Sequence, residues 1–155
     1  KKRPIMDILI ENQQKIIPLN TAVLRKIVQK ILRHEKISRA AISFVFVTDQ
    51  KIRTFNKKFL GRDYTTDVLA FDLSEKRPAG EKGRSLEGDV VISATTACTN
   101  AKVFKTSPHY EIILYVAHGI LHLLGFDDHS PKDIKKIRAK EQELMTLVKS
   151  LIPKK

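Results

Sequence analysis

With 155 residues, 42% of them hydrophobic and 30% charged, the chain is sized for one domain, residues 1–155, that buries its own core, and it shows no linker, repeat period or low-complexity tract. Its single cysteine, Cys98, excludes an internal disulfide, no apolar run nears the roughly 20 residues of a membrane span, and no apolar leader opens the sequence, so a cytoplasmic protein without a membrane partner is expected. The net charge of +12 concentrates polyanions at the surface and makes nucleic acid or a ribosomal surface the expected partner.

Ile5 to Ile10 has the apolar character of a strand, which Gln14 to Ile17 extend or pair with before Pro18, a residue without the N–H a ladder needs. Asn20 caps a helix running to about His34, with Leu24, Ile27, Val28, Ile31 and Leu32 at helical spacing. Ala41 to Val47 is β-branched and aromatic, a strand. Asp49 then caps a short helix carrying Ile52, Phe55 and Phe59 on one side. Val68 to Leu73 and Asp89 to Ser93 are two further strands, separated by a polar loop over 74–87 whose composition suggests mobility. Thr95 to Phe104 reads as a helix. Ser107-Pro108 and Ser130-Pro131 start two more, because the hydroxyl accepts an orphan backbone N–H while proline presets the first turn. The first of these ends at Gly125. The second runs to about Leu151, with Ile134, Ile137, Leu144, Leu147 and Val148 available to pack. The expected fold is α/β (α+β): a mixed sheet of about four strands packed with about five helices.

The helix from Ser107 to Leu124 is apolar around most of its circumference, as a central helix should be. Its remaining stripe is Glu111, Tyr115, His118 and His122, spaced four, three and four, all on one face. Imidazoles at i and i+4 reach a single metal ion, and Gly125 turns the chain back so that Asp127, Asp128 or His129 supplies a third ligand. The competing reading is a pair of buried histidines bonded to Glu111 or to backbone. Three protein ligands leave a fourth position for water or substrate, as in catalytic zinc sites, whereas a structural zinc more often has four ligands including cysteine, and this chain has Cys98 alone. A metallopeptidase carries H-E-x-x-H, and the glutamate position here is Gly119.

The segment His118-Gly119-Ile120-Leu121-His122-Leu123-Leu124-Gly125-Phe126-Asp127 resembles the signature H-G-x-L-H-L-x-G-x-D-H of the YbeY family of endoribonucleases. Phe55 to Phe71 is similar to that family's L-N-x-x-Y-R-x-x-D-x-P-T-D-V-L-S-F, and Gly88 to Ser93 to its G-D-[IV]-x-I-[CS], in the same order along the chain. The resemblance implies one α/β domain and a zinc ion in a cleft lined with basic residues. It also implies cleavage of single-stranded RNA in ribosomal RNA maturation and quality control, and association with the small ribosomal subunit or its proteins.

Two departures stand out. The family's arginine falls on Leu60, which has no donors for a phosphate, so Arg62, with Arg53 behind it, becomes the candidate substitute. The family's Asp-His is Asp127-Asp128-His129 here. Asp128 is the third ligand without a gap and His129 with one inserted residue, and the expected set is His118, His122 and His129 with Asp128 the near-even alternative. Asp67, and beyond it Asp89 and Glu111, are candidates to orient the histidines. The rival functions are a ribosomal RNA-binding factor whose metal is structural, and a metal-dependent hydrolase of another substrate.

Overall fold

The alternation of apolar and polar residues sets the sheet. The computed structural model describes residues 5–74 and 84–154. In it β1 (Ile5–Asn12), β2 (Ile37–Val47), β3 (Val68–Asp72) and β4 (Arg84–Ser93) form one mixed sheet in the order β1-β2-β4-β3. β1 and β4 run parallel to β2, and β3 closes one edge antiparallel to β4. Because side chains alternate across a strand, Ala40, Ile42, Phe44 and Phe46 of β2 all enter the main core, beside Val90 and Ile92 of β4. Val45, Val47, Leu69 and Val91 point the other way and meet Ile52 and Phe55 of α2 (Asp49–Leu60) in a smaller cluster.

The main core is closed by α1 (Thr21–His34), α3 (Ala94–Phe104), α4 (Pro108–Leu123) and α5 (Pro131–Val148). α4 crosses β3 and β4 and is flanked by α1, α3 and α5. Among the described residues the fold is thus the expected α/β arrangement of four strands and five helices. No helix among the described residues is long and apolar enough to cross a membrane. Cys98 is a free, half-buried thiol packed against the core.

The expected caps form: Asn20 Oδ1 accepts from Val23 N at 3.1 Å, Ser107 Oγ from Tyr110 N at 3.0 Å and Ser130 Oγ from Asp133 N at 3.1 Å. Other expectations need correcting. Asp49 is the first residue of α2, not its cap; its carboxylate accepts from Ser93 Oγ and Thr96 Oγ1, each at 2.6 Å, and so ties α2 to the start of α3. Gln14 to Ile17 is a bend. The buried Gln14 side chain accepts from the N–H groups of Ile16 and Ile17 at 2.8 Å and donates to Ile17 O at 2.8 Å, replacing the ladder bonds a strand would make. β2 begins four residues before Ala41, and β4 begins at Arg84, so the end of the expected loop is strand. The rest of that loop, 75–83, lies outside the described residues. α5 ends at Val148 and passes into a 3-10 turn, Lys149–Leu151.

Two glycines let α4 approach the sheet. A Cβ on Gly119 would sit 2.6 Å from Val90 Cγ1, and one on Gly88 of β4 would sit 2.6 Å from Phe71 O and 2.7 Å from Leu123 Cδ2. The glycine inside the histidine motif and the glycine of the G-D motif are therefore two halves of one packing contact. Gly119 faces β4, which gives the missing glutamate a steric reason as well as a chemical one.

Candidate metal centre and its cleft

α4 places His118 and His122, both half-buried, one turn apart on its polar stripe, with Nε2 atoms 2.9 Å from each other. The helix stops just beyond them. Gly125 takes φ +101°, its N–H donates to His122 O at 3.0 Å and Phe126 N–H to Leu121 O at 3.0 Å, a left-handed exit that reverses the chain. The reversal carries Asp128 back over the helix end, with Oδ2 3.6 Å from His122 Nε2 and 3.9 Å from His118 Nε2. His118, His122 and Asp128 are grouped so that one ion can meet all three. His129 is not in that group; its ring is 83% exposed and lies 3.9 Å from Asp127.

The donor set suits zinc. Tetrahedral ligands about 2.0–2.1 Å from a zinc ion stand about 3.3 Å apart, and the three separations here, 2.9, 3.6 and 3.9 Å, bracket that value. Two imidazole nitrogens and one carboxylate oxygen leave a fourth position open.

The sequence reading missed Glu141. It reaches in from α5, and its Oε2 accepts from His118 Nδ1, so that Nε2 is the atom turned to the shared position. Burial disfavours the charged form of His118, yet the hydrogen bond and charge of Glu141, with Asp67 and Asp128 behind, outweigh it and raise the pKa above the ordinary histidine value. His122 shifts the opposite way. Burial and the neighbouring His118 lower its pKa against the pull of Asp128 and Asp127. A protein-held ion needs both rings neutral at the coordinating nitrogen, so the carboxylates' attraction serves the metal and the proton alike.

Beside this group a cleft of about 530 Å³ runs between α3, α4 and α5. Asp67 lines it near His118, its Oδ1 accepting from Val68 N at 2.8 Å. Glu111 lies on its floor, buried, accepting from Thr106 Oγ1 at 2.7 Å and from Tyr115 Oη at 3.3 Å. Burial holds the Tyr115 phenol protonated well above the ordinary tyrosine range. Asp89 lies elsewhere, on the far face of the sheet, where it accepts from Ser43 Oγ at 2.6 Å. Arg62 is exposed in the turn after α2 and does not line the cleft; Arg53 is paired with Asp63 at 2.8 Å. Leu60 is 45% exposed. The lining is less basic than expected: among the described residues its charged side chains are Asp67, Glu111, Asp128, Glu141 and one cation, Arg138.

A sequence model of the family described as Endoribonuclease YbeY matches residues 9–149. The chain belongs to the YbeY family. It is 36% identical to the endoribonuclease YbeY of Syntrophus aciditrophicus over 149 residues, covering 95% of this chain and 92% of that one. The Salinibacter ruber member is 35% identical over 141 residues, with 90% of each chain covered. A solution structure of a Thermotoga maritima protein shares the fold, with a TM-score of 0.63 at 24% identity over 92% of this chain and 90% of that one. As a YbeY-family member the chain is an enzyme of the hydrolase class. Within the family pattern its own features are Leu60 on the outer side of α2 and the doubled aspartate at Asp127-Asp128, whose second member stands beside the histidines.

Proposed function

We propose that this chain is a zinc-dependent endoribonuclease that cuts single-stranded RNA during ribosomal RNA maturation and quality control, in the cytoplasm and in association with the small ribosomal subunit or its proteins. One unit, residues 1–155, carries the activity. The observation that carries this reading is the convergence of His118, His122 and Asp128 around a position that opens onto a cleft. The named relatives are endoribonucleases, and the net charge of +12 suits a polyanionic substrate.

His118, His122 and Asp128 are the proposed ligands. A zinc ion there supplies a Lewis acid that polarises a phosphoryl oxygen or renders water nucleophilic near neutral pH. The chain's residues do the rest. Glu141 fixes the tautomer and orientation of His118. Asp67, held by its own backbone bond, faces His118 across the cleft and adds negative charge that favours a cation. Four carboxylates in the lining repel RNA until a divalent ion offsets them, which couples substrate entry to metal loading.

Purified protein incubated with unstructured RNA tests the reading, wild type beside His118→Ala. Cleavage by the wild type and its loss in the variant support it; equal cleavage by both contradicts it. The exposed Leu60 at the family's arginine position favours a second reading, a ribosomal RNA-binding factor with a structural metal. That reading expects both proteins to bind RNA and neither to cut it.

A further inference from the structure

The cleft extends well past the metal group. From His118 it follows α4 through Leu114 to Tyr110, about 12 Å at the helical rise per residue. Its walls there are apolar. Phe104 at the end of α3 is 64% exposed and Ile134 on α5 is 37% exposed, and both line the same trough as Tyr110 and Leu114. Ile134 was expected in the core; its position on α5 instead turns it to the opening. Exposed apolar side chains gathered around a concavity signal something that covers them. Between this wall and the metal group stands Arg138, which among the described residues is the lining's one cation and makes no ion pair.

Resting on the endoribonuclease reading, we propose that this trough seats one unpaired nucleotide next to the cleaved bond, its base against Phe104 and Tyr110 and its phosphate on Arg138. The chemistry follows from the pieces. Bases present an apolar face to aromatic side chains whatever their sequence, and only a base free of a duplex reaches a trough between helices. A guanidinium recognises phosphate through two parallel N–H donors. Arg138 thereby takes, from α5, the place left by the leucine at position 60. The trough also makes single-strand selectivity a property of this chain's shape. A paired base stays stacked and leaves Phe104 uncovered.

The test measures binding apart from cleavage. A fluorescent single-stranded 2′-O-methyl oligoribonucleotide, whose 2′-oxygen cannot attack, is titrated with zinc-loaded protein and followed by anisotropy, and a denaturing gel of each sample excludes points at which water has cut the strand. Phe104 and Arg138 are exposed, so Phe104→Ala and Arg138→Gln leave the core intact. Phe104→Ala is expected to weaken binding roughly tenfold. Arg138→Gln is expected to weaken it about fivefold and to lower the salt slope by about 0.7, beyond the effect of Lys30→Gln, which removes the same charge from α1 outside the trough. If both trough variants bind as the wild type does while the wild type cuts unmodified RNA, the subsite is wrong and the nuclease reading stands. If both variants weaken binding while the wild type cuts nothing, the subsite stands and the nuclease reading falls. Absence of wild-type binding overturns the subsite.

Discussion

At the residue scale the choice of a third ligand turns on one peptide unit. Asp128 and His129 are adjacent and chemically suited alike, and the sequence leaves them undecided because a loop after a helix-ending glycine absorbs a residue at little entropic expense. The turn geometry separates them: Gly125 at φ +101° aims Asp128 inward and leaves His129 83% exposed. Elemental analysis after desalting should therefore show one zinc per chain in the wild type and in His129→Ala, and a strong loss in Asp128→Ala. The reverse pattern assigns the ligand to His129. Glu141 was hidden because it lies far along the chain from the histidines, yet α5 carried a trace of it. The buried residues Ile137, Leu144 and Val148 define an inward stripe, and Glu141 falls among them at helical spacing, a carboxylate where an apolar residue is the rule. Glu141→Gln should weaken zinc binding 10- to 100-fold, measured by competition with a chromophoric chelator, with the far-ultraviolet spectrum unchanged.

At the element scale the decisive contact is α4 against β4. Gly119→Ala forces a Cβ to 2.6 Å from Val90 Cγ1 and should destabilise the fold by about 1–3 kcal/mol in urea unfolding, the usual range for overpacking. Val90→Ala removes the opposing methyls, so the double variant should lose less stability than the two single losses added together. Strict additivity would mean that the helix and sheet do not meet as described. The helices were legible in the sequence because their caps are local chemistry: Asn20, Ser107 and Ser130 each satisfy a nearby N–H. The strand ends were not. Arg84 to Gly88 is polar apart from Leu86 and ends in glycine, which is loop composition, and becomes strand because β2 offers it a parallel partner over Ile37 to Ile42. Gln14 fails in the opposite sense, an extended-looking stretch bent by one side chain that supplies three bonds.

At the scale of the whole molecule, charge is divided between surface and cleft. The chain carries a net +12, yet the cleft collects four carboxylates and one arginine. Composition therefore foretold the class of partner, while the basic lining that the family resemblance implied is not what the cleft shows, since a net charge says nothing about where its minority sign gathers. RNA affinity should fall linearly with salt on logarithmic axes, by about 0.7 per phosphate contacted. It should also be lower for metal-free than for zinc-loaded protein at every salt concentration, because the ion offsets the carboxylates. The account rests on cleavage taking place at the His118, His122 and Asp128 centre. The most direct test returns zinc stepwise to chelator-stripped protein and follows, in one sample, bound metal and the cutting of single-stranded RNA. Cleavage should be absent at the start and rise in proportion to zinc until one ion per chain is bound. Full cleavage by the stripped protein, or none at one bound ion, would contradict the account.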